Sequence, residues 1–215
     1  MMADANSVIE LVHAAFDAND HPGDRWLQGS FDGCEPYDEI GAFKGLHDWR
    51  TLDPAFLDLH YVALSFFSEA GLRYYMPAYI VADLRHQLQT ADPIFHLTHG
   101  FMDVSTTIDI GGHPFERPSG RTRMINPLRY GAMTSFDYAR YRLSVFCREE
   151  AAAILAYLEL AHESPDQEFS REAIEHAIAE FWKARAATAP DRESLRRHNA
   201  QERAFTDAIL KNRPT

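Results

Sequence analysis

A mainly α domain carrying a small β element is the fold class this sequence predicts, and three observations lead there. Apolar residues recur at i, i+3 and i+4 in several stretches between residues 8 and 182. Capping residues and prolines stand at the heads of these stretches, as at Ser7, Asp53-Pro54 and Ser170. Apolar–polar alternation is confined to short runs near 104–110 and 141–145, so the β element falls around residues 101–146. The chain has 215 residues, 46% hydrophobic and 25% charged, which is enough for one core without metal or disulfide staples. A single helical domain over 1–188 is expected, followed by a peripheral C-terminal helix over 189–215.

Taken in order, Ser7 to Ala18 reads as the first helix. Val8, Leu11, Val12, Ala15 and Phe16 draw its apolar face, Ser7 caps it and Glu10 stands at the capping-box position. It stops before Asn19-Asp20-His21-Pro22-Gly23, a cluster of breakers. Residues 20–36 read as an irregular surface loop with Trp26, Phe31 and Cys34 tucked inward, and 37–43 as one or two helical turns. Asp53-Pro54 starts a helix whose wide apolar face includes Phe56, Leu57, Ala63, Leu64 and Phe67. Ser68 restarts the pattern. Pro77 removes a backbone donor, so a short helix, a kink and a second helix from Pro77 to Leu88 are expected.

Residues 90–133 are punctuated by Asp92-Pro93, Gly111-Gly112, Pro114, Pro118-Ser119-Gly120 and Asn126-Pro127. Val104, Thr106, Ile108 and Ile110 alternate as a short strand, and Tyr141, Leu143 and Val145 as a second. Cys147 to Ala161 is the clearest late helix, with Glu149 and Glu150 at its start and Ala151, Ile154, Leu155, Leu158 and Ala161 on its buried face. Ser170 caps another, with Ile174, Ala177, Ile178, Phe181 and Trp182 inward. Asp191 to Lys211 reads as a last, mostly polar helix anchored by Leu195, Phe205, Ile209 and Leu210.

Several of these segments resemble one family. Asp48-Trp49, Asp53-Pro54, Ala63-Leu64-Ser65-Phe66-Phe67 and Leu72-Arg73-Tyr74-Tyr75-Met76-Pro77-Ala78-Tyr79-Ile80 are similar to segments of the uncharacterised bacterial family DUF6714. Leu143-Ser144-Val145-Phe146 followed by Glu149-Glu150-Ala151 looks like its C-terminal part. The resemblance runs in order over residues 8–160, with 61–80 its specific segment; Leu72 and Met76 replace commoner family residues. It implies a mainly helical bacterial protein and carries over no catalytic residue.

Charge is unevenly spread. The net charge is −11, but residues 1–116 hold 18 acids and 5 bases, whereas 117–148 hold 7 arginines and 1 acid. Such an acidic half argues against nucleic acid as a partner. The arginine block either seeks an anion or pairs with the protein's own carboxylates, the plainer role given the acidic excess. No run of eighteen apolar residues is present, so no membrane span is expected. Met1 to Glu10 has no base, and Cys34 and Cys147 form no CxxC pair; a cytoplasmic protein is the expectation.

Candidate chemistry is sparse. In the segment 111–129, Arg117, Arg121 and Arg123 stand among glycines and prolines and are the anion-binding candidates. Arg73, Tyr74, Tyr75 and Tyr79 are pocket candidates, their plainer role being to knit helices around Pro77, with Arg73 paired to a carboxylate. His96 and His99 make an HxxH spacing with His113 nearby, but Pro93 and Gly100 bracket the pair; these are weak metal candidates, and neither metal nor cofactor is expected. Walker, Gly-x-Ser-x-Gly and HExxH patterns do not occur. The leading expectation is a non-catalytic interaction protein whose acidic surface meets a basic protein, an immunity-like inhibitor being one form. The alternative is an enzyme or sensor that binds a small anion near the arginine-rich loop.

Overall fold

A computed structural model describes residues 4–125, 133–198 and 201, with the backbone alone at 104–106 and 117–119. It is mainly α with one small antiparallel sheet. Carboxylates and hydroxyls cap the starts of several helices. Asp4 caps α1 (Ala5–Phe16), accepting from the Ser7 N–H at 2.9 Å, so the expected cap Ser7 lies inside the first turn. After α2 (Glu35–Gly41), Asp53 caps α3 (Pro54–Leu59), with Pro54 at the position where a missing N–H costs nothing. A short α4 (Ala63–Phe66) leads to Ser68, which caps α5 (Glu69–Leu84) through the Gly71 N–H at 3.0 Å.

α5 forms the centre of the fold. Eleven of its sixteen residues are buried, from Gly71 to Ala82, and α1, α3 and α6 (Pro93–Thr98) pack on it. It runs through Pro77 as one helix and ends at Leu84, where two separate helices reaching Leu88 were expected. Proline in a helix interior costs about 3 kcal/mol, but each large side chain fully buried contributes about 1.5–3 kcal/mol. Leu72, Tyr75, Met76, Tyr79 and Ile80, all at 0% exposure, outweigh the lost bond. The helix stops in a paired-carbonyl cap: the His86 N–H donates to Asp83 O at 2.8 Å and the Gln87 N–H to Ala82 O at 2.9 Å. His86 takes φ +54° there, a place usually held by glycine.

The β element pairs β1 (Asp103–Ile110) with β2 (His113–Gly120), with Ile110 opposite His113. Gly111 and Gly112, at φ +65° and +83°, make the two-residue turn that matches strand twist. The pair closing such a turn is hydrogen-bonded and pairs then alternate, so Pro114 and Pro118 fall where an N–H would point away from β1. That parity lets a proline-containing segment serve as a strand. The expected second strand at 141–145 is instead the end of α7 (Ser135–Leu143): Thr134 and Asp137 form a reciprocal capping box, which commits the segment to a helix.

α8 (Arg148–Glu163) packs on α1 and, on its other sides, on α9 (Arg171–Ala177) and α10 (Lys183–Thr188). α9 and α10 are joined by a wide π turn, Ile178–Trp182, which brings the adjacent rings of Phe181 and Trp182 into the core together. Phe181 stacks on Phe101 with centroids 5.4 Å apart, and the Trp182 indole N–H donates to Leu97 O at 2.9 Å. Beyond it, a helix over 192–198 starts at Asp191, which accepts from the Ser194 N–H at 2.7 Å. The expected anchors Phe205, Ile209 and Leu210 lie outside the described residues, as does the 126–129 end of the arginine-rich segment.

Candidate functional site

The stretch between α1 and α3, which contains the short helix α2, is tied to the junction of α4 and α5 by backbone bonds. Gln28 bridges Phe67, the Gly29 N–H donates to Phe66 O at 2.8 Å and the Ser68 N–H to Leu27 O at 2.7 Å. Glycine is required at 29, since a Cβ would stand 2.6 Å from Phe67 O. In the loop that precedes α2, Leu27 is the fully buried residue. Trp26, Phe31 and Cys34, expected to turn inward, face solvent instead. One apolar anchor satisfies the short loop, and the residues flanking it are left outside. Trp26 is 57% exposed, Phe31 61% and Tyr37 51%. The Arg25 guanidinium covers the Trp26 ring at 4.4 Å, and Phe31 meets Tyr37 edge-on at 6.3 Å. Asp32, Glu35 and Asp38 are exposed among them, and Glu39 pairs with His60 at 2.9 Å.

Behind this surface, Tyr74 and Tyr75 of α5 reach back to the same stretch, and Tyr79 reaches the end of α3. Tyr75 donates to Leu46 O at 2.8 Å, Tyr74 to His47 O, and Tyr79 to His60 O at 3.2 Å. Burial pushes the Tyr75 and Tyr79 hydroxyls up, so both remain donors. Arg73 points the other way, into Glu150, which is fully buried. Its Nε donates to Oε2 at 2.8 Å and its Nη2 to Oε1 at 2.7 Å. Asn19 Nδ2 and the Cys147 N–H complete the carboxylate's bonds at 2.7 and 2.9 Å. Burial alone would lower the Arg73 pKa, but the bond and charge of Glu150 win and raise it. Cys147, buried beside that carboxylate, is pushed up to about 11, chiefly by burial. Thus the four pocket candidates are spent on helix–loop and helix–helix ties.

A group that sequence spacing did not single out lies between the tyrosines and solvent. His21, Asp24 and His47 place one ligand atom each within 4.8 Å of one another. His47 Nε2 is 3.0 Å from Asp24 Oδ1, and the two imidazole rings lie 4.3 Å apart. The Gly45 N–H donates to the same Oδ1 at 3.2 Å and, with His47, holds Asp24 below the usual carboxylate range. Burial first, then the neighbouring His47, lowers His21. Nothing periodic connects positions 21, 24 and 47; the signals were turn residues, Pro22-Gly23 and Gly45, the last at φ +81°.

The other sequence candidates are dispersed. Arg121 lies 4.1 Å over the Phe136 ring and 3.4 Å from Glu180. Arg123 lends its carbonyl to the Ser135 N–H at 2.8 Å. The side chain of Arg117, on β2, is outside the described residues. His96 sits on α6, which is a regular helix because Asp92 caps it and Pro93 opens it, despite the breakers around the pair. His99 is its C-cap, and both rings lie against Phe95. Burial, with Arg142 second, pushes His96 down to about 3. His113 is exposed at the hairpin turn. Among the described residues, no helix is long and apolar enough to cross a membrane.

The model of a family of unknown function, DUF6714, matches residues 4–186. The chain belongs to the DUF6714 family. In this DUF6714 protein the match spans the site stretch, α5 and the Arg73–Glu150 tie together. Comparison with curated proteins and with solved structures finds no match.

Proposed function

We propose that this DUF6714 protein is a non-catalytic, cytoplasmic interaction protein that binds a basic protein through the surface of residues 24–39. One observation carries the reading: Trp26, Phe31 and Tyr37 are each about half exposed or more on a run with five acids and one base. Aromatic rings are the residues that interfaces concentrate, and they accept cations on their faces. Carboxylates around them attract lysine- and arginine-rich partners and repel acidic ones. An immunity-like inhibitor of a basic toxin is one form this takes. The compartment rests on two free cysteines, Cys34 and Cys147, that form no disulfide. The anion-sensor reading has less support, because the Arg121 guanidinium already faces Phe136 and Glu180.

The test is crosslinking capture from host extract, with wild type beside Phe31→Ala/Tyr37→Ala and Glu35→Lys/Asp38→Lys. A single dominant basic protein should be captured by wild type, lost from both variants and reduced by moderate salt, which screens charges over about 10 Å. Capture unchanged in both variants, or indifferent to salt, overturns the reading.

A further inference from the structure

Two imidazoles and a carboxylate drawn together by an irregular loop can be incidental, so the details of their support decide what they are. Asp24 opens a short turn, Asp24–Trp26, and is aimed by the Gly45 N–H at 3.2 Å. His21 is oriented from both ring nitrogens. Its Nδ1 accepts from the Gly23 N–H at 3.1 Å, and its Nε2 meets Tyr75 Oη at 3.1 Å. The Tyr75 hydroxyl is committed as a donor to Leu46 O, so Nε2 carries the proton and Nδ1 the lone pair. An imidazole whose far N–H is held by an outer partner is the arrangement that metal-ligating histidines show. His47 is the more open group, its side chain 58% exposed, and Asp24 is 40% exposed, so an ion can enter from solvent.

We propose that His21 Nδ1, Asp24 and His47 Nε2 form a binding site for a divalent transition cation of the zinc class. Zinc–nitrogen and zinc–oxygen bonds of about 2.0–2.2 Å in tetrahedral geometry put neighbouring donors about 3.3–3.5 Å apart. The 3.0 Å between His47 Nε2 and Asp24 Oδ1 is close to that spacing, and one ligand atom from each of the three groups lies within 4.8 Å of the others. Two nitrogens and one oxygen favour zinc over magnesium or calcium, which take oxygen sets. On loading, the Gly23 N–H leaves His21 Nδ1. The His47 proton shared with Asp24 moves to Nδ1 of its own ring, which leaves the proton count unchanged. Three protein ligands leave a fourth position for water or for a side chain from a partner. The ion ties residues 21–24 to residue 47 and stiffens the stretch that presents Trp26. This proposal stands independently of the partner reading: zinc binding is measured on the isolated chain.

The experiment uses the full chain, stripped with a chelator and titrated with zinc chloride by calorimetry, with tryptophan fluorescence followed in parallel. One zinc per chain should bind saturably and change the emission of Trp26, which follows Asp24 by two residues. His47→Ala should weaken zinc binding at least about 100-fold, and Tyr75→Phe, which removes the outer hydroxyl alone, about 10-fold. His99→Ala/His113→Ala should leave it unchanged, and magnesium chloride alone should not bind. Circular dichroism of His47→Ala should match wild type, since that side chain is largely outside the core. Overturning results are an absence of saturable zinc binding, binding unaltered by His47→Ala, loss in the His99→Ala/His113→Ala protein, or equal binding of magnesium.

Discussion

Replacing Arg73 by Met tests whether the Arg73–Glu150 tie is a keystone of the fold. Glu150 is fully buried and Arg73 is 25% exposed, so the pair is desolvated chiefly on the carboxylate side. Arg73 supplies the charged bonds, the two shortest at 2.7 and 2.8 Å. Asn19 and the Cys147 N–H remain after the substitution, and neither carries charge. Breaking a buried pair by removing one member costs about 3–5 kcal/mol, because the other charge stays buried. Partial exposure of Arg73 argues for the lower part of that range, about 3 kcal/mol. For a chain of this size each kcal/mol moves the midpoint about 2–4 °C, so a fall of about 6–12 °C is expected. The assay is urea unfolding followed by circular dichroism, with Tm as a second readout. Arg73→Met/Glu150→Leu should recover most of the loss, since an apolar pair of similar volume requires no desolvated charge. A loss below about 1 kcal/mol for Arg73→Met, or a double variant as unstable as the single, would refute the reasoning.

Three further outcomes are expected. Gly29→Ala should cost about 2–3 kcal/mol in urea unfolding, since its Cβ would meet backbone at Phe67 O and Ser68 rather than a movable side chain. Asp83, raised by burial against the lowering bond from Tyr157 Oη at 2.6 Å, has a folded pKa above the ordinary 3.8; its stabilising contribution is full below 3.8 and lost as pH rises through the folded value. Asp83→Asn should therefore gain stability relative to wild type as pH rises from 3.8, and an opposite slope in paired unfolding curves would contradict this. Under native conditions iodoacetamide should label Cys34, which is exposed, and spare Cys147, which is buried and held near 11; mass spectrometry should count one adduct before denaturation and two after.

Legibility in the sequence followed the range of the interaction. Helices set by their own first turn could be read: Asp53-Pro54 opens α3, Ser68 opens α5, and the apolar face ending in Leu158 and Ala161 is that of α8. The hairpin was half legible. β1 alternates, but β2 contains two prolines, and only the register shows that both occupy positions with no ladder bond to lose. Sequence reading passed over Thr134 and Asp137, whose capping box outweighs the alternation of Tyr141 and Leu143 because that run is short and half exposed. Pro77 misled for the opposite reason: its local cost is real, and burial along α5 overrides it.

The site candidates divide along the same line. Arg73 and Tyr75 stand two residues apart on one helix, and a sequence reading treats them as one cluster. In the fold they serve opposite sides, Arg73 toward α8 and Tyr75 toward His21 and Leu46. Separation on a helix is an angle of about 200° for two residues, so neighbours in sequence become strangers in space. Conversely, His21 and His47 are 26 positions apart with no shared period, yet their rings meet because Tyr75 and Tyr74 fasten both ends of the intervening loop to one face of α5. A search by spacing favours HxxH pairs such as His96 and His99, where the helix turns both rings against Phe95. The group with ligand geometry is assembled by tyrosine hydroxyls accepting or donating at loop ends, and it is those bonds that the Tyr75→Phe titration interrogates.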